Sequence, residues 1–293
     1  MAVPTSRRKR APRPSDGRMA LMEHLRELRN RLGISLAAIA VMVVVAVIFR
    51  HQVFDFLSRP YCETDVAKQA ANAAGTGQCR LYAFGAFEQF TVVLRVSFIA
   101  GIVCAAPVWL YQLGAFITPA LHRKERRYAA LFLGASLVLF LTGTVFAYLT
   151  ISRGLQFLLS VGGDGIVTLP SIQSYLSFVT LTLLAFGVAF LFPVIVLFLN
   201  FVGLFPAARM RSWRRAMIVS IAVAAAVLTP SQDPFTFMAM AVPLYVLYEG
   251  CILIARLRER AARRRRLAEP GAQELEQLGD DETSPLDTRP WQR

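Results

Sequence analysis

Acidic residues are in short supply in this chain, and charge of either sign is sparse. There are 19 Asp and Glu against 32 Lys and Arg in 293 residues, and charged side chains make up only 17% of the whole while hydrophobic ones make up 55%. A soluble domain of this length carries about 25% charged residues, so a soluble globule is excluded. Histidine is scarce too: His24, His51 and His122 share no metal-ligand spacing. The four cysteines, Cys62, Cys79, Cys104 and Cys251, form no C-x-x-C or Cys/His pattern. No G-x-S-x-G, H-E-x-x-H, P-loop or glycine-rich dinucleotide signature occurs, which argues against a hydrolase or an ATPase. There is no catalytic residue, metal ligand or cofactor site to assign. Long-range pseudo-symmetry of the kind that marks inverted-repeat transporters is not evident either.

What fills the chain instead is apolar sequence in runs that approach or exceed the ~20 residues needed to cross about 30 Å of hydrocarbon. Six spans are expected, at about Gly33–Phe49, Phe90–Phe116, Ala129–Ile151, Tyr175–Val202, Ala216–Thr229 and Phe235–Ala255. Before the first, "MEHLRELRNRL" places Leu21, Met22, Leu25, Leu28 and Leu32 on one helical stripe, as in an amphipathic lead-in lying at the membrane interface. The fifth run, at about 21 Å of helix, is too short for an average bilayer and implies thinning or a shielded hairpin with the sixth. Pro107, Pro193 and Pro243 predict kinks in the second, fourth and sixth spans.

The basic residues are distributed unevenly. The termini and the even-numbered loops hold 26 of the 32; Arg50, Arg59, Lys68, Arg80 and Arg153 lie in the odd-numbered loops and Arg95 lies inside the second span. The positive-inside rule then puts both termini in the cytoplasm. The basic balance is thus a topology signal and a contact with lipid headgroups rather than a nucleic-acid footprint. Residues 1–18 and the tail 257–293 read as disordered segments around a helical domain spanning 19–256. Arg7–Arg8 do not open a cleavable signal, because the apolar run begins some 25 residues later and lacks an A-x-A-like end. Cys104 and Cys251 sit in apolar runs, as small hydrophobes do. Cys62 and Cys79 flank one polar loop and would pair if it faces an oxidising compartment; their distance is not legible from the sequence.

A few ionisable groups stand in unusual places. Glu27 lies in "HLRELRNRL" at the entry to the first span, and Glu125 lies in "ALHRKERRY" between the second and third. One reading pairs each locally, Glu27 with Arg31 four residues on and Glu125 with its basic neighbours, for ~0.2–0.5 kcal/mol apiece. The other has both carboxylates converge at one membrane face on a guanidinium-bearing partner, whose planar forks two carboxylates accept bidentately. Glu88 and Arg95 are seven apart on one helix face, and Glu249 lies within the sixth span, where such groups face protein or water, or snorkel to the interface.

The same motifs resemble one family. "HLRELRNRL", "APVWLYQLGAFITPALHRKERR", "SYLSFV" with "AFGVAFLFPV", and "LTPSQDPFTFMAMAVPLYVLYE" follow in order from about Met22 to Ala255, and together they are similar to TatC, the polytopic receptor subunit of the twin-arginine translocase. The resemblance implies an all-α integral membrane protein of six transmembrane helices with both termini cytoplasmic. It further implies a curved, cup-like arrangement with short fifth and sixth helices, in the bacterial plasma membrane. It implies binding of the twin-arginine signal peptides of folded cargo at Glu27 and Glu125, with Arg29, Phe116 and Arg126 shaping the site. The partners it implies are TatA and TatB single-span subunits and other copies of the chain, with export driven by the proton-motive force. Pro60, Glu88, Arg95, Asp233 and Glu249 are expected to be structural or partner contacts. Many members carry a polar residue in the fourth span where this chain has Leu191, so that contact with TatA and TatB must arise elsewhere or be absent. Two other readings compete: a secondary transporter of a cationic small solute using Glu249, Arg95 and Glu88, and a membrane scaffold whose carboxylates are locally paired.

Overall fold

The computed structural model describes residues 21–64, 67–68, 79, 81–117, 126–160, 171–230 and 233–267. Among these the secondary structure is helical apart from one isolated parallel bridge between Tyr82 and Ser171. The helices are α1 (Leu21–Ile48), α2 (Arg50–Cys62), α3 (Ala86–Cys104), α4 (Ala106–Ile117), α5 (Arg126–Ser160) and α6 (Ile172–Ala189). They continue with α7 (Phe192–Phe201), α8 (Ala207–Ser212), α9 (Arg214–Leu228) and α10 (Pro234–Leu267). Among the described residues five stretches are long and apolar enough to cross a membrane: Met22–Ile48, Phe87–Cys104, Ala130–Leu158, Ile172–Phe201 and Pro234–Arg264. The fifth expected span corresponds to α9, whose 15 residues reach only about 22 Å.

Several boundaries differ from the sequence-based expectation. The amphipathic lead-in is not a separate interfacial element: α1 runs unbroken from Leu21 to Ile48. Nothing in "MEHLRELRNRL" stops a helix, and Gly33 by itself only weakens one. The sixth helix is not short. At 34 residues α10 extends to Leu267, past the expected end of the helical domain at 256, because "RLRERAARRRR" is made of strong helix formers with no Gly or Pro. The kinks follow two of the three prolines. The second span is interrupted at Ala105, just before Pro107, and the fourth between Ala189 and Phe192, where Pro193 stands in the first turn of α7. A proline removes one ladder donor and clashes with the carbonyl four residues back. At the first break the Trp109 indole N–H folds back onto the Ile102 carbonyl at 3.0 Å. Pro243, by contrast, lies within a continuous α10.

The chain forms two compact units, residues 1–187 and 188–293. In the first, α1 packs along α3 and α4, and α4 packs on α5. The outward face of α1, including Val41, Val44 and Ile48, is exposed, as expected of a surface that meets lipid. Lipid is as apolar as these side chains, so helix association here depends on close contact rather than on the hydrophobic effect. Gly101 provides it: a Cβ there would stand 2.5 Å from Val43 Cγ2 and 2.9 Å from the Val43 backbone nitrogen. Gly187 does the same for α6, lying against the fully buried Phe140 of α5. On α6, Leu176, Val179 and Phe186 recur at helical spacing as a buried stripe, and the buried Thr180 and Thr182 hydroxyls donate to the carbonyls four residues back.

One end of this unit is knitted by α2. The Tyr148 and Tyr175 hydroxyls donate to the Phe56 and Leu57 carbonyls at 2.9 and 2.8 Å, and Phe56 stacks on Tyr148. Burial pushes the Tyr61 hydroxyl above its ordinary pKa, with Tyr82 adding to it. Cys62 and Cys79 are joined as a disulfide with a Cα–Cα distance of 5.6 Å; Cys104 and Cys251 are free.

In the second unit α10 is the common support for α7, α8 and α9. Asp233 accepts the Thr236 backbone N–H at 2.7 Å and so starts α10. The Tyr248 hydroxyl donates to the Met210 carbonyl, holding α8 down. Where α10 leaves its apolar stretch, Glu259 accepts from Asn200 Nδ2 and from the Ala207 N–H, while Arg258 donates to the Asn200 and Phe201 carbonyls over the Phe201 ring.

Two outcomes are expected from this packing. Gly101→Ala lowers the thermal stability of the purified protein by about 1–3 kcal/mol, since the added methyl meets backbone at Val43; an unchanged melting curve would show that α1 is not seated on α3 in this way. Thiol labelling of the unfolded, unreduced protein finds two free cysteines, rising to four after reduction; four before reduction would rule out the Cys62–Cys79 bond.

Candidate functional site

Glu27 is carried on the second turn of α1, on the side that turns toward α4. The lead-in puts a leucine or a polar group on alternate faces, so Leu28, Leu32 and Leu36 line one edge of a groove while Arg31, paired with Glu27, forms its charged end. The other edge is α4, with Trp109, Leu113 and Phe116. The groove encloses about 250 Å³. Trp109 is fixed by its indole hydrogen bond and by its edge contact with Phe140 at 5.5 Å, so the break before Pro107 also sets the wall of the groove. Phe116 stacks on His24 at 4.5 Å, closing the groove beside Glu27.

The electrostatics centre on one carboxylate. Glu27 Oε1 accepts both Arg31 Nε at 2.9 Å and Arg31 Nη2 at 2.5 Å, an i,i+4 pair with both side chains mostly covered. Arg31 Nη1 continues to Gln112 Oε1 on α4 at 3.3 Å, which couples the two helices. Glu27 Oε2 is buried and has no hydrogen-bond partner among the described residues. An unsatisfied buried acceptor costs about 1–3 kcal/mol and more when charged.

The remaining residues singled out in the sequence fall in four places. Arg29 is exposed on α1 near Glu27, and Phe116 is in the groove wall. Arg126 is the first residue of α5, with its side chain outside the described set, and Glu125 lies outside the described residues altogether. At the other end of the first unit, Pro60 is buried within α2. Glu88 accepts from the Phe84 and Gly85 N–H groups and, through its other oxygen, from the Gln173 N–H at 3.2 Å. Arg95 donates to Ser177 Oγ at 3.0 Å. In the second unit, Leu191 precedes α7 and is half-buried, Asp233 caps α10, and Glu249 is bound by Arg214 Nη2 at 2.5 Å and Tyr245 OH at 3.1 Å. The structure thus places Phe116 against His24 and in one groove with Arg31, the partner of Glu27, and leaves Glu88, Arg95 and Glu249 each with its own local partners.

Gln112, Trp109 and His24 were not distinguished by sequence reasoning. Gln112 and Phe116 share one face of a single helix, four residues apart, and that spacing was the available signal. The pairing of Glu249 with Arg214 joins residues 35 apart, and no local pattern reports it.

Comparison with known proteins bears on the whole chain. Residues 23–243 match TatC, the Sec-independent protein translocase protein family. A TatC of Frankia casuarinae is 48% identical over 97% of this chain and 79% of its own length. A TatC of Corynebacterium kroppenstedtii is 34% identical over 96% and 70%. A crystal structure of the twin-arginine translocase receptor TatC in DDM is similar to this fold with a TM-score of 0.67 at 33% identity, covering 79% of this chain and 99% of that one. With an all-helical, multi-span architecture and a family match over most of its length, this chain belongs to the TatC family of Sec-independent protein translocase proteins.

Proposed function

We propose that the chain is the receptor subunit that binds the twin-arginine signal peptides of folded cargo, and that Glu27 is one of its two arginine acceptors. The observation that carries this reading is the buried Oε2 of Glu27, without a partner among the described residues, on a carboxylate held by Arg31, which itself lines an apolar groove. A signal segment with arginines followed by an apolar stretch matches both features: a guanidinium fork for the carboxylate and an apolar helix or strand for Leu28, Leu32, Trp109 and Leu113. Glu125 supplies the second carboxylate, with Arg29 and Arg126 beside the pair. Arginine is preferred to lysine because two oxygens receive its planar donors together.

The concentration of basic residues at the termini and even-numbered loops supports cytoplasmic termini, with six spans in the bacterial plasma membrane. The short α9 is the fifth of these, shielded by α10, on which it packs. TatA- and TatB-type single-span subunits and further copies of the chain complete the export machinery, and the membrane potential contributes about 2.3 kcal/mol per charge per 100 mV. A solute carrier using Glu88, Arg95 and Glu249 is disfavoured, since Glu88 is taken up by backbone N–H groups and Glu249 by Arg214 and Tyr245.

The test is binding of a labelled twin-arginine signal peptide to membranes containing the chain, against the same peptide with both arginines changed to lysine. Glu27→Ala and Glu125→Ala each weaken binding by roughly 10- to 100-fold, the loss of one charge-assisted bond of about 1.5–3 kcal/mol. Binding indifferent to both substitutions, or to the change to lysine, would remove the receptor assignment. In an export assay Glu125→Gln is nearly as damaging as Glu125→Ala, because shape is kept and charge is lost; full export by the glutamine variant would show that the charge is not used.

A further inference from the structure

The geometry points to Arg31 as a built-in stand-in for an arginine of the guest: it occupies the Glu27 carboxylate in the empty receptor and yields it when a signal peptide binds. The inference rests on the receptor reading above and adds to it the residue that sets the binding threshold.

Three observations carry it. Arg31 engages Glu27 through the same guanidinium donors a guest arginine carries, with two of its nitrogens on one carboxylate oxygen. The fork takes only Oε1; Oε2 stays buried and without a partner among the described residues. A side chain rooted four residues along the same helix therefore satisfies half of the acceptor, whereas a free guest can approach both oxygens in the parallel, bidentate manner. Finally, the Nη1 of Arg31 already rests on Gln112 Oε1. When the fork leaves Glu27, the guanidinium keeps a neutral acceptor on α4 and is not stranded. The exchange replaces one guanidinium by another on the carboxylate and leaves the displaced Arg31 charge beside it on Gln112.

An internal occupant of this kind acts on affinity through simple competition. The apparent dissociation constant is the intrinsic one divided by the fraction of molecules in which the site is vacant. Every guest that uses Glu27 is weakened by the same factor, so selectivity between guests is unchanged while the weakest drop below useful occupancy. The competing explanation is that Arg31 only orients Glu27 for the guest, and it makes the opposite forecast: removing Arg31 would weaken binding.

The test uses the full chain in membrane vesicles with a fluorescent twin-arginine signal peptide and its double-lysine counterpart. Wild type, Arg31→Gln, Arg31→Lys, Glu27→Gln and the double variant Arg31→Gln with Glu27→Gln are compared at matched abundance. Arg31→Gln is expected to tighten binding of both peptides by the same factor, about three- to tenfold for vacancy of roughly a third to a tenth. The gain disappears in the Glu27→Gln background, as a double-mutant cycle requires of a direct coupling. Arg31→Lys gives a smaller gain, because a lysine still offers a charge but no fork. Unchanged or weaker binding by Arg31→Gln, or a gain that survives Glu27→Gln, overturns the inference. If Arg31→Gln does not accumulate, Arg31→Lys decides alone: a gain supports the stand-in and the lack of one overturns it. Absence of arginine-selective binding by the wild type itself would remove the receptor reading, and this inference with it.

Discussion

Helices surrounded by lipid gain little by hiding apolar side chains from one another, so their association depends on how closely their backbones can approach. Val43 against Gly101 is such an approach, with no room even for a methyl group. It seats α1 on α3, and because α4 follows α3 after a single interrupting residue, it also fixes the angle at which α4 faces α1. The groove with Glu27 at its end is the space left between those two helices. The site is consequently a product of small-residue packing and of one proline-induced break, not of a loop shaped for the purpose.

Charge is handled in two ways in this molecule. Most ionisable side chains within the apolar helices are taken up by a nearby partner: Arg95 by Ser177, Glu249 by Arg214 and Tyr245, and Glu259 by Asn200 and the Ala207 N–H. Glu27 is the carboxylate among the described residues whose neighbour satisfies one oxygen and leaves the other buried without a partner, while Arg214 Nε and Arg256 Nη2 are buried donors in the same condition. In a medium where unpaired polar groups are costly, the open Glu27 oxygen is an acceptor and the open Arg214 and Arg256 atoms are donors.

Much of the architecture was legible in the sequence because membrane spans are set by length and apolar content, which a linear reading reports directly. Breaks near Pro107 and Pro193 were legible for the same reason, the chemistry of proline being local. Pro243 was not, since whether a helix tolerates a proline depends on what surrounds it. The reach of α10 to Leu267 was missed because a run of arginines reads as solvated tail, although arginine and alanine are good helix formers and the run is tethered by Glu259 and Arg258. At the site, Glu27 stood out as a carboxylate in a basic, apolar setting. Its involvement with Gln112 did not, as that contact joins residues 81 apart and depends on the close seating of α1. Glu125 lies outside the described residues, and its role stands as a proposal from sequence.

Glu88 carries a consequence for how deeply the helices sit. One of its oxygens binds the backbone at the start of α3 and the other binds the backbone at the start of α6, in segments 85 residues apart. The two helices therefore begin at a common level, and their vertical registers behave as one variable instead of two. A bilayer that thins or thickens must then move α3 and α6 as a coupled pair, and a chain lengthened by one residue ahead of either helix would shift both relative to the lipid boundary.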